Sequence, residues 1–155
     1  MDLDPTVVHV AIRWLHVAAM ATALGGAITV LALATRPRAD SASAVLAVAV
    51  RYEWMFWAAA GILVMTGIGN IAAFGAALLG PSTEWGATLV LKLGLVLVLV
   101  VLSLPRTLAV ARISVALEGD AHRSITALRN LYAATTAAFA VILALALWLA
   151  HGVAG

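Results

Sequence analysis

The sequence predicts an all-α integral membrane protein, a four-helix bundle formed by one four-span transmembrane domain over residues 1–155. Three observations carry that prediction. The first is composition. Hydrophobic residues make up 65% of the chain and charged residues 10%, against roughly 45–50% and about 25% in an ordinary soluble domain. One core of this size cannot hide so much apolar surface from water, so the chain needs lipid as its solvent. The second is patterning: four segments each offer about 20 mostly apolar residues, enough to cross a bilayer. The third is the gathering of arginines into the first and third connections.

The first span runs from about Val7 to Ala34, and Pro5 suits a first helical turn. "MDLDPTVVHV" has no basic segment and no small-residue cleavage site, so this span is expected to remain as a helix rather than be removed as a signal. The second span runs from about Trp54 to Leu79. "GPSTEWG" then makes a short turn, with Ser82 or Thr83 as the cap of the next helix. The third span runs from about Trp85 to Leu104, and Pro105 ends or kinks it. "LEGDAHRS" breaks the chain before the fourth span, from about Leu131 to Val153. Gly25, Gly26, Gly61, Gly67 and Gly69 recur along the first two spans and allow helix backbones to approach closely in lipid.

Orientation follows from the basic residues. Arg36, Arg38 and Arg51 fall in the first connection, and Arg106, Arg112, Arg123 and Arg129 in the third. The two tails and the second connection have none. Both termini are therefore expected on the outer, periplasmic side of a bacterial-type inner membrane. Trp54 and Trp57 then mark the inner interface, and Trp85 and Trp148 the outer one. A net charge of +2 gives no sign of a nucleic-acid partner, and a chain without cysteine has no disulfide or thiolate chemistry.

His9, Arg13 and His16 share one face of the first helix, and Met20 continues it a turn deeper. His16 lies roughly 13 Å from the outer end of its span and Lys92 roughly 10 Å from the outer end of the third. His151 is near the outer end of the fourth, and Glu84 sits in the outer turn. On this placement the polar groups lie in the outer half, with no comparable cluster in the inner half. Arg13 and Lys92 have a simple alternative, snorkelling to the headgroups. His9 and His151 can be solvated interface groups, and Met55 and Met65 core filler. His16 is too deep for that: an unpaired buried polar group costs a few kcal/mol, and ionisable residues inside a membrane mark functional sites.

Two chemistries fit such a cluster. The leading one is b-type haem, with His16 as an axial ligand projecting into the bundle. His9 cannot be the second axial ligand, because it sits on the same face of the same helix about 10 Å away. Lys92, His151 or no residue fills that place. Arg13 is the candidate partner for the propionates, since Arg51 is expected at the opposite side. Such a protein would work in membrane electron transfer with a redox partner, as an oxidoreductase component. The second chemistry is copper, with His16 and Met20 as ligands and His9 further out, because imidazole and thioether suit Cu(I). A third reading makes the chain a non-catalytic subunit of a larger membrane complex or a homo-oligomer, its polar groups satisfied by neighbours.

"RWLHVAAMATALGG", "RYEWMFWAAAGILVMTGIGNI", "WGATLVLKLGLVLVLVVLSLPR" and "ALRNLYAATTAAFAVILALAL" follow one another in the chain. In that order they resemble the CopD-like copper-resistance membrane domain and the related HemJ-type protoporphyrinogen oxidases. The HemJ resemblance implies a functional histidine and lysine beside a b-type haem, at His16 and Lys92. The CopD resemblance implies copper movement or handling at the inner membrane.

Overall fold

The computed structural model describes residues 4–35, 42–74, 83–115 and 121–152, with side chains at all of these except 5, 71–74, 115, 121–123 and 150–152. They form four helices: α1 (Pro5–Thr35), α2 (Ala42–Phe74), α3 (Glu84–Val115) and α4 (Ala121–Gly152). All four are long and apolar enough to cross a membrane. The chain is a multi-pass membrane protein whose flanks face lipid, which explains why Trp14, Val17, Trp54, Met65 and Trp148 are exposed.

The helix starts follow capping rules. The Thr6 backbone N–H donates to Asp4 Oδ1 at 2.8 Å, and Pro5 stands at the first position, where its missing N–H costs nothing. The Gly86 N–H donates to Thr83 Oγ1 at 3.0 Å, so Thr83 caps α3; Ser82 lies outside the described residues.

The helices are longer than the apolar segments. α2 begins at Ala42, ahead of the expected Trp54, and α4 at Ala121, ahead of Leu131. α3 runs through Pro105 and on to Val115, so the proline does not end it. Its ring removes one helical N–H, but the following "RTLAVARISV" continues the helix. Lengths of 31–33 residues correspond to roughly 47–50 Å, against about 30 Å of hydrocarbon. An apolar window stops at the edge of the hydrocarbon, whereas the helix carries on into the headgroups.

Consecutive helices are neighbours, and α4 closes beside α1. The start of α1 and the end of α4 therefore lie at one end of the bundle, here the termini end, and the end of α1, the start of α2, the end of α3 and the start of α4 lie at the other, the connection end. α1 presents Ala19, Ala23, Ala27 and Val30 to the core at intervals of three and four residues, the spacing of one helical face. Small side chains there bring α2 close, and the aromatic rings of α2 and α4 fill the centre. Tyr52 meets Tyr132 edge-on with centroids 5.5 Å apart, and Phe56 meets Phe139 at 6.3 Å.

Gly26 makes the closest approach. A Cβ there would overlap the Tyr52 ring, whose hydroxyl donates to the Ala23 carbonyl at 2.8 Å. Gly26→Val is therefore expected to destabilise the bundle by about 1–3 kcal/mol, the usual cost of overpacking, read as a lower unfolding midpoint in detergent. Gly25→Val is the matched control, because a Cβ there meets nothing within 4 Å. An equal midpoint shift in both variants would contradict this packing.

Candidate functional site

His16 is half-buried on the α2 side of α1. Its Nδ1 lies 2.8 Å from Thr66 Oγ1 of α2. The Thr66 hydroxyl has one proton, and that proton is directed to the Ile62 carbonyl at 2.6 Å, one helical turn back. Assigning the proton this way makes Thr66 the acceptor for His16, and a neutral imidazole then carries its proton on Nδ1 with the Nε2 lone pair free. Gly67 borders the same ring: a Cβ there would stand 3.8 Å from His16 Cε1. The result is an oriented imidazole with an unprotonated nitrogen, roughly 16 Å from the termini end of α1.

This tautomer is testable by 15N NMR of the histidine ring. Wild-type protein is expected to show His16 protonated at Nδ1. Thr66→Val removes the acceptor and should shift the population to the Nε2-protonated form, while Thr66→Ser should keep it. An unchanged tautomer in Thr66→Val would contradict the assignment.

The other expected site residues divide. Lys92 of α3 is half-buried at similar depth, roughly 12 Å from the end of its helix. Met20 is half-buried and packs against the core one turn from His16. His9 is half-buried two turns nearer the termini end, and Arg13 is exposed on the flank of α1. The His151 side chain lies outside the described residues. Among the described residues, no three histidine or acidic side chains gather closely enough to hold a metal ion.

A second polar cluster lies at the connection end, where none was expected. Arg106 belongs to no loop: it is buried inside the bundle, 3% exposed, and so is Glu53, at 4%. The guanidinium grips the carboxylate at two points, Nε to Oε1 at 2.9 Å and Nη2 to Oε2 at 3.1 Å. The Tyr132 hydroxyl donates to Oε1 at 2.6 Å, and the Thr107 hydroxyl donates to Oε2. Arg106 Nη1 donates to Thr135 at 3.1 Å, and Trp57 Nε1 donates to Thr107 at 3.0 Å. The guanidinium carbon also stands 4.3 Å from the Phe56 ring centroid, within cation–π range. Charges are tolerated in the bundle because each is paired and hydrogen-bonded. The network ties α2, α3 and α4 together about 20 Å along α2 from Thr66.

A polytopic helical membrane protein, with an oriented imidazole near one end and a charged tie near the other, is the class this fold and site define. The family model for copper resistance protein D matches residues 46–149, about two thirds of the chain. The chain belongs to that family. The matched segment contains Glu53, Thr66, Lys92, Arg106 and Tyr132, and it leaves α1 with His16 outside. No curated protein and no solved structure was found to match.

Proposed function

We propose that the protein handles copper in a bacterial inner membrane, with Cu(I) as its cargo and His16 as the ligand that receives it. The observation that carries this reading is the 2.8 Å contact of His16 Nδ1 with Thr66, which orients the ring and, on the assigned tautomer, leaves Nε2 free, in a chain of the copper resistance protein D family. Imidazole and thioether are suitable donors for Cu(I), and Met20 is one turn away from His16. A sparse donor set suits an ion in passage, which must bind well enough to enter and weakly enough to leave. Exposed Arg51, Arg112 and Arg129 lie toward the connection end, which supports placing that end in the cytoplasm and the His16 end outside.

The alternative reading is haem, with His16 and Lys92 as ligands from α1 and α3 at similar depth. The family match names copper and adds nothing for haem. The two separate in one experiment. Liposomes containing the protein and an internal Cu(I)-sensitive dye are expected to take up copper faster than empty liposomes, and His16→Ala should abolish the difference. The purified protein should show no Soret band. Equal uptake with and without the protein would overturn the copper reading, and a Soret band lost in His16→Ala would replace it with haem.

A further inference from the structure

An open groove of about 630 Å³ runs between α1 and α2 on the lipid-facing flank, toward the connection end. α1 lines it with Thr22, Gly25, Gly26 and Thr29, and α2 with Arg51 and Tyr52 among others. Its hydroxyls are already committed. Thr22 donates to the Ala18 carbonyl at 2.9 Å, Thr29 to Gly25 at 2.8 Å and Tyr52 to Ala23 at 2.8 Å. The lining is thus effectively apolar apart from Arg51. That guanidinium is exposed and has no hydrogen-bond or ion-pair partner among the described residues. The nearest acid in sequence, Glu53, is taken by Arg106. Arg51 lies roughly 13 Å from the connection end of α2. About 10 Å of that helix overhangs the hydrocarbon at each end, so the Arg51 backbone stands just inside the hydrocarbon edge and its long side chain can reach out to the lipid phosphates.

We infer that this groove binds an anionic phospholipid, its phosphate on Arg51 and one acyl chain along Gly25 and Gly26 toward the membrane centre. A guanidinium fork matches a phosphate with two parallel hydrogen bonds. A zwitterionic headgroup would bring its own cation beside Arg51, and an anionic one does not. A second copy of the chain docked symmetrically would set two Arg51 side chains against each other. Gly25 makes the room, since a side chain there would project into open space. This site is independent of the copper reading.

The test is native mass spectrometry of the full chain released from nanodiscs of equimolar phosphatidylglycerol and phosphatidylcholine. Wild type is expected to retain one phosphatidylglycerol in clear preference to phosphatidylcholine. Arg51→Gln should bring the retained ratio to about one, the value expected when no charge discriminates between the headgroups. Gly25→Leu should remove the bound lipid without touching the charge. Gly94→Leu, at another open position on α3, should behave as wild type. Circular dichroism checks that each variant is folded, and Gly25→Leu decides the matter if Arg51→Gln does not fold. Equal retention of the two lipids by wild type, an unchanged preference in Arg51→Gln or Gly25→Leu, or a lipid-free dimer would overturn the assignment.

Discussion

Glu53→Ala is expected to cost the protein about 3–5 kcal/mol, the penalty for leaving a buried charge without its partner. The variant removes the acceptor of four donors at once: two on Arg106, one on Tyr132 and one on Thr107. Arg106 stays buried against Phe56 with Thr135 as its only remaining oxygen partner in this network. Equilibrium unfolding in mild detergent with increasing SDS measures the loss. The double variant Glu53→Met with Arg106→Met should recover much of it, since matched apolar replacements of a buried pair are often neutral. The non-additivity of that cycle isolates the pair. A shift below about 1 kcal/mol in Glu53→Ala would instead describe a solvated surface pair.

His16→Ala is expected to lower Cu(I) affinity by more than about 100-fold. The magnitude follows from the partners: loss of a group that only orients a ligand typically costs 10–100-fold, and loss of the ligand itself costs more. Stability should change little, because His16 is half-buried and a single hydrogen bond to Thr66 is at stake, worth about 1 kcal/mol. The variant thus separates binding from folding, which Glu53→Ala does not.

The four helices were legible in the sequence because lipid leaves a chain few alternatives: every backbone group in the hydrocarbon must find an internal partner, and an apolar run does so as a helix. The ends of the helices were not, because apolarity reports the bilayer's thickness and not the helix's length. His16 stood out because a deep imidazole demands a partner. Thr66 did not, since a helical threonine ordinarily bonds its own helix, as Thr66 also does, and only packing places it across from His16. Glu53 and Arg106 were hidden by their position. Each lies just beyond an apolar segment, where a charge reads as part of a connection, and 53 residues separate them. The sequence did hold a signal: "RYEWMFW" sets one acid among aromatics, and "LPRTL" sets one base directly after an apolar run. Charges with such neighbours are enclosed more readily than charges in a polar loop.

In the proposed copper role, His16 presents a free imidazole nitrogen to Cu(I). An anaerobic titration of the detergent-purified protein against a chromogenic Cu(I) chelator tests it most directly. Wild type is expected to bind Cu(I), Thr66→Ser to bind it similarly, Thr66→Val to bind it about 10–100-fold more weakly, and His16→Ala to withdraw no copper from the chelator. Binding by His16→Ala equal to wild type, or no binding by wild type, would contradict it.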